Sequence, residues 1–388
     1  MTSVRTEPGT SIESGPAAAG GTAAGPATAG AGLSATVSGS LAAALRRSAQ
    51  TERRIRSQPH SFRVLTGDRP TGELHLGHYF GTLRNRVRLQ QAGVELFVLI
   101  ADYQVLIDRD VADRLGEHVH GLVLDYLAAG VDPARSVIFA HSAVPELNQL
   151  MLPFLSLVTV PELQRNPTVK DEIGHSRQAS VSGLMFTYPV HQAADILSMK
   201  GNLVPVGQDQ LPHLELTRLI ARRFNERYPG PGDAPVFAEP EPLLSDAPLL
   251  LGTDGGKMSK SRGNAIALRA TADETARLIR GAKTDAVRLI SYDPARRPEV
   301  SSLLLLAALC LDTDPVAVAD AIGDGGAALL KRTVTEAVNE RLAPVRARRA
   351  ELAADPGYAR QALRDGCARA REVAAGTLAQ VRDAMRMG

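Results

Sequence analysis

The sequence predicts an α/β protein: a Rossmann-like, doubly wound parallel sheet followed by a C-terminal α-helical domain. Three observations favour this architecture. Short apolar strands alternate with helical patterns over the first ordered half of the chain. The strand at residues 95–101 is apolar at nearly every position, as strands covered on both faces are. After about Arg269 the pattern is helical to the end.

The composition excludes several classes of protein. A chain of 388 residues with 44% hydrophobic and 22% charged residues is typical of about two globular domains. The two cysteines, Cys310 and Cys367, exclude a disulfide-stapled scaffold and a cysteine-built zinc site. The longest apolar run, residues 303–311, is too short for a membrane span. A net charge of +2 disfavours a surface covered with positive charge for binding nucleic acid, although a local basic patch remains possible. With only 4% aromatic residues, a surface on which bases stack is also disfavoured.

The N-terminal segment differs in composition from the rest. Residues 15–32 are only Gly, Ala, Pro and Thr, and no Asp, Glu, Lys or Arg occurs from Ser14 through Leu45. Such a segment cannot offset its ordering entropy, so residues 1–58 are predicted to be a disordered leader. Residues 41–58 carry five arginines and can form a short helix. An organelle transit peptide is the alternative, which Glu7 and Glu13 disfavour. We expect a cytoplasmic protein.

The ordered elements begin near Ser61. A catalytic domain over residues 59–265 is predicted to contain strands at 62–66, 95–101, 136–140 and 203–206, with helices at 77–91 and 111–129. A helical domain over 266–388 is predicted to contain helices at 273–281, 299–311, 315–322, 326–349 and 356–385. Ligands of doubly wound sheets bind outside the carboxyl ends of the strands, so the loops after the strands are the place to search.

The loop after the first strand, residues 66–78, has the features of an anion site. Gly67 and Gly72 permit close approach of a ligand to the backbone, and Gly77 leaves room for a flat base. The next helix begins with unpaired N–H groups, where His75 and His78 can both donate to an anion. A turn with two surface histidines is the alternative. A metal site built on the pair lacks a Cys or Glu at ligand spacing.

A second loop, residues 252–264, carries two lysines between glycines. Lys257 and Lys260, with the hydroxyls of Ser259 and Ser261, fit a mobile clamp that closes on a polyphosphate. A solvated surface loop is the alternative. A Walker loop is excluded, because no G-x-x-x-x-G-K-[ST] follows a strand.

Taken together, the two loops indicate a family. His75-Leu76-Gly77-His78 followed far along the chain by Lys257-Met258-Ser259-Lys260-Ser261 resembles the signature pair of class I aminoacyl-tRNA synthetases. Residues 188–197 (YPVHQAADIL) and 204–218 (VPVGQDQLPHLELTR) are similar to the segments that line the amino-acid pocket of tryptophanyl-tRNA synthetases. The resemblance covers about residue 62 to the C-terminus and excludes the leader.

The resemblance implies an ATP-dependent ligase that activates L-tryptophan and transfers it to tRNA(Trp). It implies ATP with Mg²⁺ as co-substrate, no protein-built metal site, no membrane partner and a homodimer. The implied catalytic residues are His75, His78, Lys170, Lys257 and Lys260. The implied ATP-binding residues are Arg69, Pro70, Thr71, Gly77, His78, Gly207, Gln208, Asp209, Leu249, Lys257, Met258, Ser259, Lys260 and Ser261. The implied tryptophan-binding residues are Leu65, Gly67, Tyr188, Gln192, Asp195 and Gln210.

A tyrosine-activating enzyme is the nearest rival. In the tyrosyl pattern a Tyr stands two residues before the loop glycine, whereas this chain has Leu65. Asp195 is the acceptor that matches a single indole N–H, although a buried carboxylate that caps a helix or pairs with an arginine is the alternative. Arg69, His78, Gln192 and Gln208 depart from the main bacterial tryptophanyl pattern and resemble an auxiliary bacterial form, with inhibitor resistance or regulation as the alternative role.

The C-terminal region carries an excess of positive charge. From Lys331 onward the chain has twelve Lys or Arg against seven Asp or Glu, a net of +5, which suits contacts with tRNA phosphates. A solvated amphipathic helix pair is the alternative. A nucleotidyltransferase for a small metabolite is a further alternative, disfavoured because residues 193–196 (AADI) and the long helical region match the synthetases.

Overall fold

The core of the protein is a five-stranded parallel sheet. The computed structural model describes residues 45–107, 113–167, 169–170, 182–207, 210–244, 250–259 and 262–387. The strands are β1 (Arg63–Asp68), β2 (Glu95–Ile100), β3 (Ser136–Ala140), β4 (Leu203–Val206) and β5 (Glu241–Leu244). Their order is β3-β2-β1-β4-β5, and every pair is parallel. The predicted doubly wound parallel sheet is therefore confirmed.

The strand order explains where a ligand can bind. The chain first adds β2 and β3 on one side of β1, then returns to place β4 on the other side. The strands β1 and β4 are paired through Val64 and Leu203. This is the point at which the winding reverses, and crevices in such sheets open at the carboxyl ends of the strands there.

The helices cover both faces of the sheet and continue to the C-terminus. Helix α1 spans residues 45–57. Helix α2 comprises Leu76–His78, a π-helical turn at Tyr79–Leu83, and Arg84–Gln91. The others are α3 (Leu115–Ala128), α4 (Glu146–Leu155), α5 (Val160–Arg165), α6 (Gly183–Ser198), α7 (Leu211–Arg227), α8 (Ala272–Arg280), α9 (Pro298–Leu311), α10 (Pro315–Ile322), α11 (Gly326–Ala354) and α12 (Pro356–Ala384).

The structure contains elements that the sequence did not predict. Strand β5 is short and carries a proline, Pro242, which edge strands tolerate and which masks a strand pattern. Helices α4 to α7 were not predicted. In α4 and α6 an internal proline, Pro153 and Pro189, masks the helical pattern. The predicted helix at 111–129 is described only from Leu115, since residues 108–112 lie outside the described residues.

The C-terminal helices pack directly on the sheet layer. Gly366 of α12 lies against β3, where a Cβ on it would come within 1.9 Å of the Ile138 carbonyl oxygen. In α11, Arg349 donates to the buried Asp125 of α3 over 2.6 Å. Residues 44–388 accordingly form one compact unit. Within the described residues, no single helix has the length and apolar composition of a membrane span; joined across a 108° bend, Pro298–Leu311 and Pro315–Ala354 reach that composition.

Helix α1 matches the short helix expected within residues 41–58 and contradicts the disorder predicted for this part of the leader. Residues 45–57 are helical and packed, with Ile55 buried. The Thr51 hydroxyl donates to Glu241 over 2.8 Å, and the Ser48 hydroxyl accepts from the Leu244 amide over 2.6 Å. Three side chains thus bind α1 to the core and to β5. Residues 1–44 lie outside the described residues.

The packing of α1 leads to a prediction for truncated chains. We expect deletion of residues 1–44 to leave the free energy of unfolding unchanged, because the contacts described for α1 lie within the part of the chain that remains. Deleting residues 1–58 lowers it by about 3–5 kcal/mol, since this exposes the Ile55 contact surface and breaks the bonds of Ser48 and Thr51. Urea denaturation of both truncations measures the difference, and equal midpoints would contradict it.

Candidate active site

The first loop is held in place by a buried ion pair. Gly67, near the end of β1, faces Leu99 so closely that a Cβ would come within 2.5 Å of the Leu99 carbonyl oxygen. Next to it, Asp68 accepts from Arg86 over 2.6 Å and from the Tyr126 hydroxyl over 2.7 Å. Burial raises the pKa of Asp68, but the charge and hydrogen bond of Arg86 outweigh it and lower the pKa to about 2. Asp68 is therefore an anion that anchors the loop to α2.

The two histidines cap the start of α2. His75 Nδ1 accepts from the Gly77 amide over 3.1 Å, and His78 Nδ1 accepts from the His75 amide over 3.2 Å. The ring centroids are 3.8 Å apart. Because Nδ1 accepts in each ring, the ring hydrogen of the neutral form is on Nε2, which can donate to an anion. The donor role of both histidines stays a prediction.

A buried asparagine organises the second loop. Asn264 is 2% exposed, and its side-chain oxygen accepts from the Ser259 amide over 2.8 Å. Its amide nitrogen donates to Asp254 over 2.7 Å and to the Lys257 carbonyl over 3.1 Å. The loop is thus fixed at its base, while the Lys257 side chain is exposed.

The fold brings the two loops together. The Leu76 amide donates to the Ile266 carbonyl over 3.0 Å, and the Leu268 amide donates to the Leu74 carbonyl over 2.9 Å. A Cβ on Gly77 would lie 2.9 Å from the His75 ring and 3.7 Å from the Met258 sulfur. A side chain at position 77 would therefore collide with the His75 ring, on the side that faces Met258 of the second loop.

A pocket opens at the carboxyl ends of β1 and β4. Its volume is about 350 Å³. Eight of the predicted residues line it: Leu65, Gly67, Arg69, Tyr188, Gln192, Asp195, Gly207 and Gln210. All six predicted tryptophan-binding residues are among them, so the structure assembles these distant segments around one cavity.

The comparison with known proteins identifies the family. Residues 57–343 match the model of the class I tRNA synthetases for W and Y. The chain belongs to this family. Two relatives are the tryptophan–tRNA ligases of Treponema pallidum (strain Nichols), 44% identical over 333 residues, and of Clostridium longisporum, 41% identical over 329. The matches cover 83% and 82% of this chain, and 96% and 95% of those proteins.

A solved synthetase has the same fold. The tryptophanyl-tRNA synthetase of Campylobacter jejuni, complexed with ADP and tryptophan, superimposes with a TM-score of 0.72 at 29% identity. The match covers 84% of this chain and 99% of that one. The fold and family expected from the two signature loops are thus confirmed.

Several predicted residues of this synthetase lie away from the pocket or outside the description. Pro70 is buried in the first loop, and the Thr71 amide donates to the Arg69 carbonyl over 2.8 Å. Lys170 is exposed and follows Val169, which packs with Tyr188. Gln208, Asp209, Leu249, Lys260 and Ser261 lie outside the described residues. Their assignments stay predictions.

The synthetase pocket has polar partners that the sequence analysis missed. The Tyr188 hydroxyl is 2.9 Å from His213 Nε2, and His213 Nδ1 is 3.5 Å from the Asn166 amide. In a second contact, His141 Nε2 lies 2.9 Å from Asp195 Oδ1. His141 directly follows β3, so a search of every loop after a strand would have found it.

Asp195 and two buried histidines lie close enough together to be considered as metal ligands. One ligand atom each from His141, His191 and Asp195 lies within 4.8 Å of the others. However, His191 Nε2 is 3.0 Å from the Asn148 side-chain oxygen, and the contact between His141 and Asp195 is direct. Ligands of a tetrahedral ion with bonds of about 2.0–2.2 Å stand farther apart than that contact. The geometry therefore favours a polar contact over a metal site.

A second, larger groove lies elsewhere in the synthetase. It has a volume of about 1010 Å³ and runs between α1, α2 and the end of β5, with Arg84, Arg88 and Arg341 on its walls. None of the predicted site residues lines it. The smaller pocket at the strand ends is thus the candidate active site.

Proposed function

We propose that this protein is a tryptophan–tRNA ligase, which activates L-tryptophan with ATP and transfers it to tRNA(Trp). The observation that carries the proposal is the buried Asp195 carboxylate on the wall of a pocket otherwise shaped by Leu65 and Gly67, beside the joined signature loops. The named relatives at 44% and 41% identity support the choice of amino acid.

The first step needs positioning more than a protein nucleophile. The substrate carboxylate attacks the α-phosphate of ATP, forms tryptophanyl-adenylate and displaces pyrophosphate. His75 and His78 donate from the start of α2 toward the phosphates, where helix N–H groups also favour an anion. Lys257, Lys260 and Lys170 neutralise the departing pyrophosphate as its charge develops. Mg²⁺ enters with ATP and is held mainly by the phosphates.

The remaining site residues are assigned either to the nucleotide or to the amino acid. Arg69, Pro70, Thr71 and Gly77 line the nucleotide on the side of the first loop. On the opposite side, the nucleotide-binding assignments are Gly207, Gln208, Asp209, Leu249, Met258, Ser259 and Ser261. Tyr188 and Gln210 bind the α-amino group, and Gln192 lies beside the indole. Asp195 accepts from the indole nitrogen.

The choice of tryptophan over tyrosine follows from shape and hydrogen bonding. Asp195 can accept a hydrogen bond from either an indole N–H or a phenol hydroxyl, so the carboxylate alone does not discriminate. Leu65, 4% exposed, stands where tyrosyl enzymes carry a tyrosine. It offers no donor for the phenol oxygen, while an indole face packs well against it.

The second step, transfer of the tryptophanyl group to tRNA, requires a surface that binds the tRNA. The basic C-terminal region from Lys331 onward is the proposed contact for tRNA phosphates. A homodimer and a cytoplasmic location are proposed from the family resemblance. Filter binding of tRNA at increasing salt tests the proposed tRNA contact, because each neutralised phosphate steepens the salt dependence of the binding constant.

An ATP–pyrophosphate exchange assay with each of the twenty amino acids tests the function. We expect exchange above background with tryptophan and at least a hundredfold lower kcat/KM with tyrosine. Faster exchange with tyrosine makes the protein a tyrosine-activating synthetase. The absence of exchange with every amino acid identifies a catalytically silent paralogue.

Asn264 provides a prediction for the second loop. Asn264→Ala removes three hydrogen bonds from a buried position and leaves the Ser259 amide without its acceptor, which costs about 1–3 kcal/mol. We expect the exchange kcat to fall about tenfold, since the lysines are no longer presented in one place, with the KM for tryptophan unchanged. Asn264→Asp, which keeps the acceptor for Ser259, retains more activity. A kcat equal to the parent's would show that the loop does not depend on Asn264.

Gln192 provides a prediction for inhibitors. A polar side chain at this pocket position, where the main bacterial form has Met, changes the shape and hydrogen bonding beside the indole. We expect Gln192→Met to lower the inhibition constant of an indole-bearing inhibitor fitted to the Met-type pocket, with KM for tryptophan changed less than threefold. Equal inhibition of the parent and the variant would remove the rationale for a resistance role.

A further inference from the structure

Behind the pocket wall lies a buried polar cluster formed by Asp102, His141, His191 and Asp195. Their exposed fractions are 5%, 0%, 3% and 1%. Asp102 and His141 follow the ends of the neighbouring strands β2 and β3, while His191 and Asp195 lie one turn apart on α6. Of the four, Asp195 lines the pocket. The other three can therefore act on a ligand only through Asp195.

The two carboxylates face opposite edges of the His141 ring. His141 Nε2 lies 2.9 Å from Asp195 Oδ1, and His141 Nδ1 lies 3.9 Å from Asp102 Oδ1. Neither ring nitrogen of His141 nor Asp195 Oδ1 has a hydrogen bond of normal angle within the described residues. The contact with Asp195 is thus at hydrogen-bond distance but not yet aligned, in a site from which water is excluded.

The surroundings hold His141 between its neighbours. Asp102 is immobilised by hydrogen bonds from the Tyr103 and Ser142 amides, both 3.1 Å, and from the Ser142 hydroxyl. The Tyr103 ring stacks on His141 at 6.1 Å and 14°, and the His191 ring lies 4.8 Å away. Burial lowers the pKa of His191, whose Nε2 lies 3.0 Å from the Asn148 oxygen. These rings leave His141 little freedom except to align with Asp195.

We propose that His141 is a positioning residue that holds one oxygen of Asp195 and so presents the other oxygen to the ring N–H of the substrate. The inference rests on the proposed function. The Asp195 carboxylate would otherwise turn about its Cα–Cβ and Cβ–Cγ bonds, and fixing it in advance removes that freedom before the substrate binds. His141 therefore determines specificity for a ring N–H, through Asp195 and without contact with the substrate.

The test compares two substrates that differ only at the ring N–H. ATP–pyrophosphate exchange is measured with tryptophan and with 3-(benzothiophen-3-yl)alanine, in which sulfur replaces the N–H. We expect His141→Ala to raise KM for tryptophan about tenfold, with kcat and KM for ATP changed less than twofold. For the sulfur analogue, kcat/KM should change less than twofold. The preference for tryptophan over the analogue should thus fall about tenfold.

Two further variants separate positioning from packing. His141→Gln carries an amide N–H that can donate to Asp195, so the preference for tryptophan should return to within threefold of the parent. His141→Phe fills the ring space without a donor and replaces His141→Ala if that variant does not fold. Its preference should fall like that of His141→Ala. His60→Asn, a change at an exposed histidine, is the control for loss of an imidazole.

The outcomes distinguish the inference from the proposed function. An unchanged preference in both His141→Ala and His141→Phe overturns the inference, as do equal losses with the two substrates. One equivalent of zinc in the purified parent that is lost in His141→Ala also overturns it, because the cluster would then be a metal site. If the parent activates no tryptophan, the proposed function fails and the inference fails with it.

Discussion

Asp195→Ala lowers kcat/KM for tryptophan about 10- to 150-fold in the exchange assay. A hydrogen bond to a charged group contributes about 1.5–3 kcal/mol, and this range converts to that loss of rate. The substituted pocket leaves the indole N–H without an acceptor at a position where the parent side chain is 1% exposed. The KM for ATP should be unaffected, because Asp195 is assigned to the amino acid alone.

Asp195→Asn is the matched control. Its amide oxygen can still accept from the indole, but its NH₂ group either takes the place of that oxygen or faces His141. We expect a loss between those of the parent and Asp195→Ala. If Asp195→Ala activates tryptophan at the parent rate, the carboxylate is structural, and its buried contact with His141 is its whole role.

Lys260→Ala lowers kcat of the exchange reaction by about 30- to 900-fold. The lysine acts on charge that develops on the departing pyrophosphate, so its loss costs about 2–4 kcal/mol in the transition state and little in the ground state. The KM for tryptophan should change less than threefold. Lys260 lies outside the described residues, and the prediction rests on its place in the Lys257–Ser261 signature.

Two comparisons sharpen the Lys260 prediction. Arg114→Ala, which removes an exposed cation at the start of α3, should leave kcat within twofold. Lys260→Arg keeps the charge but not the compact ammonium, and should recover part of the loss. An unchanged kcat for Lys260→Ala with a raised KM for tryptophan would contradict a role in the transition state.

Local patterns explain what could be predicted. The strands β1 to β4 were predicted because each is an apolar run bounded by turn residues, and residues 96–100 show the continuous apolar pattern of a strand buried on both faces. The first signature loop directly follows β1, and both loops have a characteristic residue pattern, so their chemistry could be interpreted from residue type and spacing. The six tryptophan-binding candidates came from a family resemblance, and the pocket brings all of them together.

Long-range contacts explain what was missed. Arg86 looks like any helical arginine in the sequence, yet it is 1% exposed and pairs with Asp68, 18 residues away. Asn264 looks like a loop residue, yet it organises the lysine loop through three hydrogen bonds. The arginine-bearing segment before residue 58 was placed in the disordered leader as a short helix, yet it packs on the core, because Thr51 and Arg54 both bind Glu241.

The sequence by itself determined the alternation of strands and helices, the glycines that a tight loop needs, and the chemistry of the two signature loops. These depend on neighbouring residues, whose preferences act over a few positions. The tertiary structure alone decided that β4 returns beside β1, that Met258 faces Gly77, and that His141 meets Asp195. Such contacts depend on the packing of distant segments against a shared sheet, which no local pattern encodes.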